Sequence, residues 1–267
     1  MEGAKLIEAA LGSRHPIESV FVAAGGRAAP ATAALLSEIA GTGARVFDLA
    51  PGVMERVADT VSPQPLCAVV PAVDIPLSLL VEGPAAAQGA DPCCLPVCVD
   101  VRDPGNLGAI LRIAGASGAG GVVACAGSVD AYNPKAVRAS AGALFNVPLV
   151  KGDDPVTVLT GLRQAGYRVT GTRATGGTDY TDADLGGRLA LVLGNEGSGL
   201  PQALDSLLDG TVTIAMAEAS ESLNVAMAAA ILCFEARRRN TGERNTGRLD
   251  HEPRERGTAA GEDPSVE

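Results

Sequence analysis

The chain has no Trp and only four Phe and three Tyr among its 267 residues, so its core must be assembled from Ala, Val, Leu and Ile. So few rings weigh against a nucleic-acid surface built mainly from aromatic stacking platforms. Histidine is almost absent. His15 and His251 are far in sequence from the cysteines Cys67, Cys93, Cys94, Cys98, Cys125 and Cys233, and no C-x-x-C pair occurs. No metal site is therefore expected, and the thiols are expected to be reduced and mostly buried as small hydrophobes. No apolar run approaches the roughly 18 residues of a membrane span, and the first residues lack the basic-then-apolar layout of a signal peptide. A cytoplasmic protein without a membrane partner is expected. Positive charge is in deficit, with 21 Lys and Arg against 31 Asp and Glu. That argues against a generic polyanion binder while leaving room for a local basic patch.

What the chain has in quantity is apolar side chains, 46% of the total, with 33 glycines. The length fits one large or two modest domains at roughly 100 to 200 residues each. "AKLIEAALG" and "APATAALLSEIAGTG" have helical periodicity, and "IESVFVAAG", "ARVFDLA" and "LCAVVPAV" read as strands. They predict a small α/β unit over 1–81. Residues 82–94, rich in Gly, Pro and Ala, predict a linker. A second unit over 95–239 alternates Val- and Leu-rich strands with helices, which predicts a parallel sheet covered on both faces. Residues 240–267 hold one Leu, one Val and no aromatic, and predict a disordered tail that is dispensable for folding.

Three segments carry polar groups in unusual places. In "LALVLGNEGSGLP", 189–201, a strand runs into a Gly-rich loop, where backbone can approach a ligand closely. The loop does not fit a phosphate: Gly199 is followed by Leu200 and Pro201 where a P-loop needs Lys and Ser or Thr. Gly194, Gly197 and Gly199 also reverse the dinucleotide spacing. In "DVRDPGNLGAILRIAGASGAGGVV", 100–123, a strand breaks at Asp103-Pro104-Gly105 and a helix follows. Asn106 lies at its start, and Arg112, about 9 Å further along the axis, is long enough to reach back. In "TIAMAEASESLNVAMAAAILCFEARRR", 213–239, Ser222 predicts an N-cap. The helix after it has an apolar stripe at Leu223, Met227, Ala230, Ile231 and Phe234, and Arg237 to Arg239 suit its C-terminal dipole. Each segment alone also has a plain structural explanation: a tight turn, a cap with a solvated arginine, and a core-facing stripe.

Together and in this order, "DPGNLGAILRIA", "LVLGNEGSGL" and "SLNVAMAAAILCFEARR" resemble motifs 1, 2 and 3 of the SpoU/TrmH branch of the SPOUT RNA 2′-O-methyltransferases, and the resemblance extends more loosely over 1–239. Ala215 departs from the family, which usually has Pro there. The resemblance implies an α/β, parallel-sheet methyltransferase domain with a C-terminal trefoil knot, preceded by a ribosomal-protein-like RNA-binding domain. It implies S-adenosylmethionine as cofactor, held mostly by main chain at Thr172, Leu193, Gly194, Asn195, Ile214, Met216 and Leu223. It places Asn106, Arg112, Glu196, Ser222 and Asn224 around the reacting centre of a homodimer, with ribosomal RNA as substrate. Transfer RNA, or RNA binding without catalysis, are the alternatives. A natural start upstream of Met1 is also implied, because the family's "VEGAKLIEAAL" pattern has Val where this chain has Met1.

Overall fold

The computed structural model describes residues 1–58, 60–82, 93–217 and 222–242. The first unit contains helix α1 (Ala4–Gly12), strand β1 (Ser19–Val22), α2 (Pro30–Ala40), β2 (Arg45–Asp48), α3 (Met54–Val57) and β3 (Leu66–Val69). The strands lie in the order β2-β1-β3, with β2 parallel and β3 antiparallel to β1. Strand alternation sends Val20 and Val22 into a core shared with Ile7, Ala10, Leu35, Leu36 and Ile39, and turns Phe21 to the opposite face. The helices and strands expected here are present, and the short α3 is an addition that its four residues were too few to announce.

The junction between the units is more intimate than a tether. The Tyr132 hydroxyl accepts from the backbone N–H groups of Val73 and Asp74, and Ile75 N–H donates to the Leu149 carbonyl. Helix α4 (Leu77–Glu82) puts Leu80 and Val81 into the second unit's core. Of the expected linker, 83–92 lie outside the described residues, while Cys93 and Cys94 are buried.

The second unit runs β4 (Leu95–Cys98), α5 (Pro104–Ser117), β5 (Val122–Ala124), α6 (Pro134–Ala139), β6 (Leu149–Lys151), α7 (Pro155–Gln164), β7 (Arg168–Thr172), β8 (Thr178–Asp179), β9 (Leu189–Leu193), β10 (Gly210–Thr213) and α8 (Val225–Thr241). Its strands are all parallel, in the order β6-β5-β4-β9-β7-β10-β8. Two apolar clusters cover its two faces, as the continuous Val and Leu runs predict. β9, buried along its whole length, sits between β4 and β7. The loops after β4, β7, β9 and β10 therefore open at one edge, beyond the carboxyl ends of the strands, where open α/β sheets bind ligands.

Two expectations need correction. The stripe read as core-facing on α8 points outward: Leu223, Met227, Ile231 and Phe234 are 37, 63, 37 and 47% exposed. The buried side is Val225, Ala226, Ala229, Leu232, Cys233 and Ala236. Small side chains let α8 lie close on α5, so the larger apolar residues fall on the other face. The N-cap is Asn224 and not Ser222. Asn224 Oδ1 accepts from the N–H groups of Ala226 (2.9 Å) and Met227 (3.3 Å).

The expected tail from Asn240 lies largely outside the described residues, but its first members belong to the body. Helix α8 continues to Thr241. Asn240 donates to the Cys93 carbonyl (2.9 Å) and accepts from Gly187 N–H (2.7 Å). Cutting the chain after Gly242 should leave the melting temperature unchanged. Asn240→Ala should cost about 1 kcal/mol and lower the melting temperature by about 2–4 °C, which calorimetry would read. Among the described residues no helix is long and apolar enough to cross a membrane.

Candidate active site

A hollow of about 320 Å³ lies beyond β7, β9 and β10 and is closed by the start of α8. It is at the small end of ligand-pocket sizes. Its walls include Thr172, Gly194, Asn195, Glu196, Ile214, Met216, Ser222 and Leu223. Of the residues expected to touch the cofactor, only Leu193 does not line it. The Leu193 side chain is fully buried, and its carbonyl accepts from Val99 N–H.

The Gly-rich loop is folded on itself by Asn195. Asn195 Oδ1 accepts from the N–H groups of Gly197 (2.9 Å) and Ser198 (3.1 Å), and Nδ2 donates to the Asp100 carbonyl (2.9 Å). Asn195 and Gly199 also exchange backbone hydrogen bonds of 3.1 and 3.0 Å. A Cβ at position 194 would stand 2.4 Å from the Gly199 carbonyl carbon. Glycine is needed there because the loop backbone itself fills the space.

Helix α5 begins at Asp103, whose Oδ1 accepts from Gly105 N–H (2.5 Å) and Asn106 N–H (3.2 Å), with Pro104 at the first helical position. Because Asp103 caps, the Asn106 side chain is free for other work. Its Nδ2 donates to Glu196 Oε1 (2.9 Å) and its Oδ1 accepts from Asn224 Nδ2 (2.9 Å). Glu196 also accepts from Asp103 N–H (3.1 Å) and Arg102 N–H (3.2 Å). One polar chain thus joins the loop after β4, the loop after β9 and the start of α8.

Burial pushes the Glu196 carboxyl up. The Asn106 amide and the backbone N–H groups of Glu196, Asp103 and Arg102 outweigh it and hold the carboxyl below its ordinary value. A carboxyl with a lowered pKa stabilises the fold fully above its unfolded value, and the stabilisation is lost as pH falls through the lowered one. Glu196→Gln removes this titration. The melting-temperature gap between wild type and Glu196→Gln should therefore narrow on acidification below the ordinary carboxylate range, and a gap constant with pH would count against it.

Arg112 stands apart. The helix turns through about 600° over the six residues from Asn106, and Arg112 emerges exposed on another face. It lines a second hollow with Ala9, Gly115, Ala116, Ser140 and Gly142 and has no hydrogen-bond or ion-pair partner among the described residues. The expected reach back to the turn is not made within one chain. Ser222 is exposed on the first hollow's wall. The sequence reading missed Asp100, a non-glycine residue at φ 55 whose carbonyl anchors Asn195. It also missed Arg173, which lines the hollow while ion-paired to Asp205. Neither belongs to a recognisable local pattern. Among the described residues no group of His, Cys, Asp and Glu is arranged to hold a metal ion.

Residues 95–234 match the SpoU rRNA methylase family, and residues 1–76 match the substrate-binding domain of RNA 2′-O ribose methyltransferases. The chain is 32% identical over 238 residues to the 23S rRNA (guanosine(2553)-2′-O)-methyltransferase RlmP of Bacillus subtilis, covering 89% of this chain and 87% of that protein. It is 40% identical over 146 residues to a 23S rRNA (uridine(2479)-2′-O)-methyltransferase of Streptomyces viridochromogenes, covering 53% of this chain and about half, 51%, of that relative. The crystal structure of the SpoU methyltransferase AviRb from S. viridochromogenes in complex with AdoMet superposes with a TM-score of 0.75 at 29% identity, covering 89% of this chain and 88% of that one. With its parallel sheet, its Gly-rich loop and the polar chain joining three of its segments, the protein belongs to the SpoU rRNA methylase family.

Proposed function

We propose that this protein transfers a methyl group from S-adenosylmethionine to a ribose 2′-hydroxyl of ribosomal RNA, working in the cytoplasm as a homodimer. Residues 1–81 hold the RNA, and 95–239, with a trefoil knot at their C-terminal end, perform the transfer. The observation that carries this is the Glu196–Asn106–Asn224 chain at the mouth of the hollow. The Bacillus subtilis relative, which spans both units, acts on 23S ribosomal RNA by name, which favours ribosomal over transfer RNA.

The hollow suits the cofactor. Main chain and the apolar side chains of Ile214, Met216 and Leu223 provide a neutral wall for an adenosine, and Glu196 provides one negative charge near a sulfonium. Among the described residues no lysine lines it, and Arg173 on its wall is engaged by Asp205. Thr172, Gly194, Asn195, Ile214, Met216 and Leu223 hold the cofactor, with Leu193 shaping the strand end behind them. When bound, S-adenosylmethionine supplies a methyl group on sulfur for in-line attack by the ribose hydroxyl.

The protein's own part is positioning and charge stabilisation. Glu196 is a poor base, because its carboxyl is held ionised and its oxygens already accept from Asn106, Asp103 and Arg102. Instead it fixes Asn106, which with Asn224 and Ser222 orients the ribose. Arg112 is no base either, since a guanidinium has only N–H donors and no acceptor. Its planar fork suits a phosphate and a developing alkoxide, and the hydroxyl proton passes to water. Because Arg112 faces away from Glu196 within one chain, the partner's Arg112 completes each site. The exposed apolar stripe at Leu223, Met227, Ile231 and Phe234 supports such pairing. Incubating the protein with radiolabelled S-adenosylmethionine and either ribosomal or transfer RNA tests the assignment. Label in a ribose 2′-O-methyl of ribosomal RNA supports it, label in transfer RNA alone corrects the substrate, and no label overturns it.

A further inference from the structure

Phe21 and Phe47 are two of the chain's four Phe residues, yet neither belongs to a core cluster. They pair directly across β1 and β2 on the sheet face opposite Val20 and Val22. Their rings are stacked, with centroids 5.4 Å apart and planes 18° apart. Phe47 lies on the edge strand and is 42% exposed. The Arg45 guanidinium sits 5.9 Å from the Phe47 centroid. Arg27 reaches the same strand end through Asp48, at 2.6 Å. An acidic chain with hardly any rings thus gathers a flat aromatic surface and two arginines at one sheet edge.

We propose that this edge is an RNA-docking surface, on which an unpaired base stacks on Phe47 while Arg45 and Arg27 take the adjoining phosphates. The inference rests on the RNA substrate proposed above and adds where the N-terminal unit touches it. Burying apolar surface against a protein could be done by Val or Leu; a ring flanked by guanidiniums is the combination that serves a base and its phosphate at once. The Arg27–Asp48 pair is exposed on both sides, 51 and 65%, so exchanging the carboxylate for a phosphate loses little. Residues 1–76, which contain the whole patch, are the part matching a substrate-binding domain.

The test uses the full chain and 23S ribosomal RNA transcribed in vitro, in filter-binding titrations at several salt concentrations. Phe47→Ala and Phe47→Leu should each weaken binding roughly five- to a hundredfold, and Phe47→Trp should restore it. Loss in the Leu variant, which keeps the bulk, excludes a folding artefact. Arg45→Ala should lower the salt slope by about one. Binding of S-adenosylhomocysteine and the sedimenting mass should not change. Unaltered RNA affinity in both Phe47 variants, or a halved mass, overturns the proposal, the latter by showing a contact between copies. Weakened RNA binding by these variants, in a wild-type protein that transfers no methyl group, would support this surface and sink the proposed activity. Wild-type protein that binds no RNA would sink both.

Discussion

Replacing Arg112 by lysine or alanine should lower methyl transfer to ribosomal RNA at least a hundredfold, while cofactor affinity and oligomeric state stay as in wild type. As an exposed side chain without a partner, Arg112 is of little use to the fold, and substitutions at such positions usually change stability by less than about 0.5 kcal/mol. A solvated surface charge would be replaced by lysine with no loss. A planar fork that grips a phosphate and a developing alkoxide would not, because lysine is a point charge on a flexible stem. Loss of one positioned donor costs on the order of a hundredfold or more in rate. Single-turnover transfer separates the two, and near-normal rates in Arg112→Lys would remove Arg112 from the reaction. The separation of Arg112 from the Glu196–Asn106–Asn224 chain adds a second test. Mixed dimers of Arg112→Ala and Asn224→Ala protomers hold one site in which both residues are intact, if the arginine comes from the partner. They should regain a fraction of wild-type transfer that neither parent shows.

Gly194→Val should abolish binding of S-adenosylhomocysteine, with a loss of at least a hundredfold by calorimetry. A Cβ there would meet the Gly199 carbonyl carbon at 2.4 Å and Leu200 N at 2.6 Å. Both are backbone atoms with no rotamer to yield, so the loop has to open and its Asn195–Gly199 hydrogen bonds break. Gly197→Ala is the matched control, since its Cβ would meet only Asn195 Oδ1, at 3.6 Å. That variant should bind almost normally. Equal binding by the Gly194 and Gly197 variants would show that the loop does not shape the cofactor hollow.

Much of this was legible in the sequence because glycine, asparagine and proline are local instructions. Asp103-Pro104 announces a helix start, and the spacing of Gly194, Gly197 and Gly199 announces a backbone folded close. The runs of Val and Leu announce a doubly covered parallel sheet. What was not legible depends on neighbours distant in the chain. Ser222 and Asn224 are both good caps, and Asn224 takes the position while also bonded to Asn106. The inner face of α8 is set by the room beside α5, which selects alanines that a search for large apolar residues passes over. Leu80 and Val81, read as the end of the first unit, are claimed by the second unit's core. Arg112 shows the same limit more sharply: its helix fixes which way it faces, and nothing near it in sequence says what it faces.

The polar chain at the mouth of the hollow also dictates when the protein can become competent during synthesis. Glu196 contacts residues 90 to 94 positions earlier, and Asn224 lies 118 positions beyond Asn106. β9 must insert beside β4, a strand made well before it. Contacts of such separation form slowly, because the intervening loop is closed before they reward it. The nascent chain therefore carries five of its seven sheet strands without a finished pocket. Only after the last helix has left the ribosome and docked is the pocket beside the Gly-rich loop complete.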